Sequence, residues 1–467
     1  MIVYDSRKVK KGDTFVAIPG LKKDGTEYIP QAIASGALAI VAEKAVAVPP
    51  EVKLTVVPSA RKALAELAAE YYGEPSKKLK LIGVTGTKGK TTVAYLIRSI
   101  LETAGFKTGI IGTIDSPMTT PEAVELQAEL ARLVKEGYTH CVLEVSSHGL
   151  AQERVHGCHF SVAIFTNLTH DHLDYHKTMD EYLAAKKKLF AMLNEESTAI
   201  INIDDPCSAS IIGVVRGEVI PFGLEQTRHE LRSTKHNEFD AVVSSVDIKP
   251  TEMIMKINSA EIRTPLIGLH NAYNIMAAFQ CGLSLGIRSA VIKAGVEKVK
   301  IIPGRQEEII GGQLFRIIVD FAHSPDSLQK LLETYRQFTA GRLILVFGCP
   351  GERDREKRAM MGTLAARLAD FTIITTDDPH GEEPEGISKE IEQGFLHHLP
   401  ESNNYVVEKE RRQAITRALT MAGPGDIVLI AGRGHEQYQD FQGKKIELDD
   451  RAACREIISS LVSKGQV

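Results

Sequence analysis

GVTGTKGKTT, residues 83–92, joins an apolar run from Leu79 to Val84 to a helix-like run from Thr91 to Ala104. A glycine-punctuated turn between a strand and a helix presents successive backbone N–H groups to an anion at the positive end of the helix dipole. Gly86 and Gly89 supply the curvature, Lys90 a point charge for the terminal phosphates, and the Thr91 hydroxyl a ligand for Mg²⁺. The strict phosphate-loop spacing GxxxxGK[ST] wants glycine where Val84 stands, so a plain glycine-rich turn is the competing reading. The pattern points to a nucleoside triphosphate.

The bulk composition sets limits on partners. With 467 residues the chain has room for about three domains. Hydrophobic residues make up 43% and the formal net charge is −4, which gives no electrostatic case for nucleic acid or an anionic membrane surface. Six cysteines without CxxC spacing and a polar N-terminus predict a cytoplasmic protein without structural zinc. Small molecules are the expected ligands, with the chain acting as a monomer.

Three segments follow along the chain. Residues 1–78 mix short β-rich runs (Thr14 to Ile18, Ala37 to Val41, Leu54 to Val57) with a helix from Ser59 to Tyr72, and Gly73 to Lys78 reads as a linker. In residues 79–302, Cys141 to Val145, Val162 to Phe165 and Ala199 to Ile203 are apolar runs of the kind a parallel sheet buries between helices. In residues 303–467, strands at Phe315 to Val319, Leu343 to Phe347, Phe371 to Thr375 and Ile427 to Ile430 alternate with helices, the pattern of a second α/β unit.

Acidic and imidazole side chains gather near the loop. Glu144 closes the strand CVLEV, where a carboxylate at a sheet's carboxyl edge can share Mg²⁺ with Thr91; a structural glutamate bonded to backbone would have the same sequence. FTNLTHDHLDYH, from Phe165, packs His170, Asp171, His172, Asp174 and His176 into one stretch. The spacing matches no zinc motif, and its hard oxygens favour Mg²⁺ with one imidazole. The alternative is a solvated polar loop with Asp180 capping the next helix.

Taken in order, GVTGTKGKTT, EVSSH (144–148), FTNLTHDHLDYH, YLAAK (182–186), LIGLHNAYN (266–274), PGRQE (303–307) and DFAHSPDSL (320–328) resemble the Mur ligases. DSRKVKKGDTFVAIPG, TTPE (119–122), GCPGERDREKR (348–358) and AGRGHE (431–436) look like the type that adds the third residue of the peptidoglycan stem. The resemblance covers nearly the whole chain. It implies a small mixed α/β N-terminal domain for a nucleotide sugar, a central P-loop-type ATPase domain with a mainly parallel sheet, and a C-terminal Rossmann-like domain for the amino acid. The implied activity is ATP-dependent addition of a diamino acid (lysine, ornithine or meso-diaminopimelate) to UDP-N-acetylmuramoyl-L-alanyl-D-glutamate through an acyl phosphate.

The same resemblance assigns residues. Gly86, Thr87, Lys88, Gly89, Lys90, Thr91 and Thr92 take the phosphates, Asn271 and Asn274 the adenine side, and Arg305 and Asp320 meet ATP from the third domain. An Asn pair at (i, i+3) is equally able to bridge a helix turn. Thr91, Glu144 and His172 hold Mg²⁺, and Lys186 matches the lysine carried as a CO₂-derived carbamate, whose two oxygens suit Mg²⁺ where a bare ammonium repels it. Ser6, Arg7, Thr119, Thr120, Ser146 and Arg154 are the expected acceptor-side residues, with turn capping the plainer reading of Ser146 and Thr120. Arg353, Asp377, Asp378, His380, Gly432 and Glu436 face the amino acid.

Two departures leave other readings open. Where the family's diaminopimelate enzymes carry Asp-Asn-Pro-Arg, this chain has Asp377-Asp378-Pro379-His380, losing a bidentate cation and gaining an anion. The chain begins four residues before Asp5-Ser6-Arg7, and the stretch from Thr113 to Thr119 is short for the type. A related ligase acting on another carboxylate, or a nucleotide-gated binding module without ligase activity, are the alternatives.

Overall fold

The structure is a computed structural model that describes residues 1–20, 23–116, 118–224 and 241–465. Its N-terminal unit is a four-stranded, wholly parallel sheet with strands Ile2–Val3, Thr14–Val16, Ala39–Ala42 and Lys53–Val56 in sequence order. The alanine-rich helix Ala60–Tyr71 starts at Ser59, whose side chain accepts from the Lys62 N–H. It packs this unit against helix Ala123–Lys135 of the next one. The expected linker is not a free spacer: Pro75–Lys78 form a 3₁₀ turn, and the Ser76 hydroxyl is buried, accepting from the His159 N–H at 3.1 Å.

The central unit carries six parallel strands in the order Glu218–Phe222, Thr198–Asn202, Val162–Phe165, Lys80–Thr85, His140–Glu144, Thr108–Ile111. Lys80–Thr85 is buried from Leu81 onward because helices cover both faces of the sheet. Helix Lys90–Thr103 presents Val93, Leu96, Ile97 and Ile100 at helical spacing to one face and packs on helices Leu269–Ser284 and Ser289–Lys298. The chain leaves Lys80–Thr85 towards one side of the sheet and later returns to lay Val162–Phe165 on the other. A crevice opens at that reversal, beyond the carboxyl ends of three adjacent strands. A separate antiparallel sheet, Val243–Ile248, Met253–Ile257 and Ala260–Thr264, was not anticipated, although Met253, Met255 and Ile257 alternate with less buried residues at the period of a strand.

The C-terminal unit is a six-stranded sheet ordered Glu307–Glu308, Arg316–Asp320, Ile427–Ala431, Leu343–Phe347, Phe371–Ile374, Tyr405–Val407, parallel except for its first strand. Its carboxyl edge faces the crevice of the central unit, and the two edges enclose one cavity of about 1250 Å³. Among the described residues no helix is long and apolar enough to cross a membrane.

Candidate active site

The phosphate loop forms one wall of the cavity. Gly86 has φ +150°, and a Cβ there would lie 1.8 Å from Thr166 Oγ1, so no larger residue fits without moving the neighbouring strand's continuation. Helix Lys90–Thr103 begins with no side-chain cap, which leaves its first N–H groups for a ligand. Lys90 Nζ donates to the carbonyls of Gly86 and Thr87, both at 2.9 Å. Burial pushes its ammonium down to about 8. Thr91 Oγ1 donates to Glu144 Oε2 at 2.9 Å, and Glu144 also accepts from the Thr113 N–H at 3.1 Å and the Thr113 hydroxyl at 3.0 Å. The buried Glu144 and Thr91 therefore place two hard oxygens side by side at the carboxyl edge.

The histidine-rich stretch divides: His172 and His176 both pack against His148 and Tyr182, whereas His170 and Asp171 turn to other partners. His170 Nε2 lies 3.1 Å from Asp354 Oδ2 of the C-terminal unit, and Asp171 pairs with Lys88 at 3.0 Å. Burial alone would raise the Asp171 carboxyl, but Lys88 beside it holds it well below the usual range. His172, with φ +57°, turns the chain into the helix Leu173–His176 and sets its ring edge-on to His148, centroids 4.9 Å apart. Burial lowers the His172 imidazole to about 3, which keeps it a neutral donor-acceptor. His176 stacks on Tyr182 at 5.1 Å. Thr178, not Asp180, caps the following helix Met179–Ala191, accepting from the Glu181 N–H.

Lys186 lies on that helix, 1% exposed, with its Nζ 4.4 Å from the centroid of the Tyr182 ring. Among the described residues it makes no ion pair, and burial, then Lys90, pushes its ammonium well below the usual lysine range. It stands behind the cavity wall, while Lys88, Lys90, Thr91, Thr92, Glu144 and His172 line it.

The acceptor-side expectations divide. Thr119, Thr120, Ser146 and Arg154 line the cavity, whereas Ser6 and Arg7 do not. Ser6 donates to Gln31 Oε1 at 2.8 Å, and the exposed Arg7 folds back on Asp5 at 2.8 Å. Thr120 Oγ1 donates to the Glu144 carbonyl at 2.8 Å, and Ser146 Oγ caps the short helix Ser147–Ala151 by accepting from Gly149 N–H. Ser146 thus does the local capping that the plainer reading expected, whereas Thr120 ties its loop across to the Glu144–Ser146 backbone, also accepting from the Ser146 N–H at 2.9 Å. Arg154 clamps the loop through the Thr120 carbonyl at 2.8 Å and Glu122 at 2.8 Å, and its Nε is buried without a partner.

On the opposite side, Asn274 Nδ2 donates to Asn271 Oδ1 at 3.0 Å, and Asn271 Nδ2 donates to the Ile267 carbonyl at 2.9 Å. The pair bridges one helix turn and still lines the cavity. Arg305 lies over the Phe321 ring at 4.3 Å and donates to Thr91 Oγ1 at 3.2 Å. Asp320, raised by burial, accepts from the Gln306 N–H at 2.7 Å, fixing the turn that carries Arg305. His323 Nε2 sits 3.4 Å from Lys88 Nζ, and His435 Nε2 sits 3.2 Å from the Thr113 carbonyl. The two units therefore meet across the phosphate loop.

The far wall carries the expected amino-acid residues. Oxygens of Asp377, Asp378 and Glu436 lie within 4.8 Å of one another. Gly432, with φ +114°, is required there because a Cβ would come 2.6 Å from Asp377 Oδ2. His380 faces Asp440 at 3.6 Å, and the exposed Arg353 lines the cavity on a loop held by the buried Arg358 through Glu382 and the Pro350 carbonyl. Sequence reasoning passed over Arg433, although it lies inside AGRGHE. It is fully buried, pairs with Asp378, and donates to the Tyr438 carbonyl at 2.6 Å. Also missed were Thr113, which holds Glu144, and the buried pair Arg411–Asp450 at 2.7 Å beneath the far wall. No local motif marks either.

Comparison with known proteins places this geometry. Three family profiles match in order: "Mur ligase family, catalytic domain" over residues 1–72, "Mur ligase middle domain" over 84–282, and "Mur ligase, glutamate ligase domain" over 304–434. A UDP-N-acetylmuramoyl-L-alanyl-D-glutamate--2,6-diaminopimelate ligase from Syntrophomonas wolfei is 42% identical, covering 99% of this chain and 95% of the relative. The protein of the same name from Bacillus licheniformis is 40% identical, covering 98% and 94%. A solved structure of such a ligase superposes with TM-score 0.67 at 31% identity, covering 99% of this chain and 95% of the other. MurF ligase from Thermotoga maritima in complex with ADP shares the fold alone, at TM-score 0.65 and 20% identity, covering 100% of this chain and 97% of the other. The ordered profiles and the full-length relatives show that the chain belongs to the Mur ligase family.

Proposed function

We propose that this chain is an ATP-dependent ligase that adds a diamino acid to UDP-N-acetylmuramoyl-L-alanyl-D-glutamate. The observation that carries the reading is the single cavity in which a phosphate loop and Glu144 face, across the gap between two units, a pocket of carboxylates. The relatives' names, each a ligase for 2,6-diaminopimelate, support the substrate pair. In this scheme the acceptor carboxylate attacks the γ-phosphorus of ATP, ADP leaves, and the acyl phosphate is then attacked by the amine, expelling phosphate and losing a proton. Displacement between anions needs charge neutralisation and alignment more than covalent help.

The loop from Gly86 to Thr92 would wrap the phosphates, with Lys90 exchanging its two carbonyl partners for phosphate oxygens and Arg305 approaching from the C-terminal unit. Thr91 and Glu144 fit Mg²⁺ as paired hard oxygens, with neutral His172 beside them. Bound there, Mg²⁺ neutralises charge on the transferring phosphoryl group. Lys186 fits a carbamate because only a neutral amine adds CO₂, and burial without an acidic partner keeps this one neutral. Its nitrogen would bond the carbon of CO₂ and release a proton, turning a neutral amine into an anion on the metal side.

Asn271 and Asn274 would contact the adenine; Thr119, Thr120, Ser146 and Arg154 the acceptor; Arg353, Asp377, His380, Gly432 and Glu436 the amino acid. Residues 1–78, 79–302 and 303–467 would then serve the nucleotide sugar, ATP and the amino acid in turn. Six free cysteines and dependence on ATP fit a cytoplasmic enzyme.

Purified chain given ATP, Mg²⁺ and UDP-N-acetylmuramoyl-L-alanyl-D-glutamate is expected to release phosphate when lysine, ornithine or meso-diaminopimelate is added. Release with none of the three, or only with a different carboxylate acceptor, contradicts the reading.

A further inference from the structure

The carboxylate pocket holds more negative charge than it can keep unaided. Asp377 and Asp378 follow the strand Phe371–Ile374, and Glu436 follows Ile427–Ala431, so two loops at the same edge of the sheet, with Leu343–Phe347 between their strands, bring three acids to one point. Asp377 is buried, while Asp378 and Glu436 keep 18% and 35% of their side chains exposed, so Coulomb repulsion among the three acids is partly screened by solvent but remains unfavourable at this spacing. One cation lies among them: the fully buried Arg433, paired with Asp378 through Nη1 and 3.7 Å from Asp377 and 3.6 Å from Glu436. Its other terminal nitrogen is used by the Tyr438 carbonyl, and Asp440 N–H also donates to Asp378 Oδ1.

Asp378 is therefore spoken for. Asp377 Oδ2 is not: among the described residues it is buried with no hydrogen-bond partner, on a residue 5% exposed that lines the cavity beside Glu436. An orphaned buried carboxylate oxygen calls for a donor that the described residues do not supply.

We propose that Arg433 is the positioning residue of this pocket: it neutralises Asp378 and holds Asp377 and Glu436 so that their free oxygens take one ammonium group of the incoming amino acid. The inference rests on the ligase reading above. It also accounts for Asp378 standing where the family's diaminopimelate enzymes carry asparagine. Asp378 and Arg433 form a closed ion pair, so the extra anion adds no net charge to the pocket. The groups that face Glu436 agree with a cationic ligand. Burial, then Asp377, pushes its carboxyl up to about 8 against the pull of Arg433 and, from helix Arg411–Met421, Arg411; Asp378 adds to the rise, and Arg305 lies within electrostatic reach. An ammonium arriving between Asp377 and Glu436 would displace that proton.

The test is steady-state phosphate release by the full chain, with KM measured separately for ATP, the acceptor and the best diamino acid. Arg433→Met is expected to raise the amino-acid KM by about tenfold or more while the other two KM values stay within about twofold, because it leaves Asp378 buried and unpaired. Adding Asp378→Asn to Arg433→Met is expected to bring the amino-acid KM back to within about threefold of the parent, and Arg433→Lys, which keeps the charge, to stay within the same range. An amino-acid KM unchanged in Arg433→Met, or a loss spread equally over all three substrates and not relieved by Asp378→Asn, overturns the proposal. Parent protein inactive with every diamino acid instead overturns the ligase reading on which it rests.

Discussion

The two walls of the cavity solve opposite problems. On the phosphate-loop side, cationic and hydroxyl groups are already satisfied by the protein: Lys90 by two loop carbonyls, Thr91 by Glu144, Lys88 by Asp171. On the amino-acid side, three carboxylates share one buried arginine and leave Asp377 Oδ2 without a donor. The first wall is a set of donors parked on internal acceptors, able to exchange them for phosphate at little cost. The second is a charge imbalance held in place by the fold, which a cation completes. A ligand arriving at the first wall replaces bonds, and one arriving at the second adds them.

The contrast is broken most severely by Lys186→Ala. Removing the buried amine behind the loop wall is expected to lower kcat by roughly a thousandfold while amino-acid binding, followed calorimetrically, survives. Partial recovery with bicarbonate and a short-chain carboxylate would support the carbamate, and an unaltered rate would exclude it. Arg411→Met breaks a fully buried pair with Asp450 and is expected to cost roughly 3–5 kcal/mol of C-terminal stability. Thermal melts should show the loss, with ATP still protecting the central unit; unchanged melting would mean the pair contributes nothing.

Gly86→Ala acts on the loop wall alone. Its Cβ would sit 1.8 Å from Thr166 Oγ1, and kcat/KM for ATP is expected to fall about a hundredfold with the amino-acid KM unaffected. The smallest effect belongs to Glu436→Gln. A carboxyl raised in the fold from its ordinary 4.5 to about 8 stabilises the fold most below 4.5 and loses that contribution as pH rises through 8. The variant is therefore expected to melt like the parent near pH 4.5 and above it near pH 8. Parallel melting curves across that window would remove the charge imbalance from the account.

The same contrast explains what the sequence disclosed. Loop-wall groups lie within consecutive residues whose backbone geometry is dictated locally, so Gly86, Lys90 and Thr91 were readable from GVTGTKGKTT alone. The inner parallel strands of both large sheets were legible as short apolar runs, several within one residue of their ends, whereas the edge strands Thr108–Ile111, Glu218–Phe222 and Tyr405–Val407 were not read. Arg433 was not singled out, because an arginine inside AGRGHE reads as a surface charge until the loop of Asp377 and Asp378 folds over it. Thr113 became visible only when the edge strand Thr108–Ile111 paired beside His140–Glu144. His170 to His176 looked like one metal cluster; instead the left-handed turn at His172 and the helix after it pack the His172 and His176 rings against His148 and Tyr182, while His170 turns to Asp354. Ser6 and Arg7, carried by the N-terminal unit, lie outside the cavity that the other two units enclose.

Coupling between the two walls is the central claim, and one assay addresses it directly: phosphate and ligated product measured together in the presence of ATP, Mg²⁺ and UDP-N-acetylmuramoyl-L-alanyl-D-glutamate, with and without a diamino acid. The account predicts one phosphate per amide bond formed and negligible sustained release when the amino acid is left out. Phosphate released at the same rate without it, or no product with any diamino acid, would contradict the account.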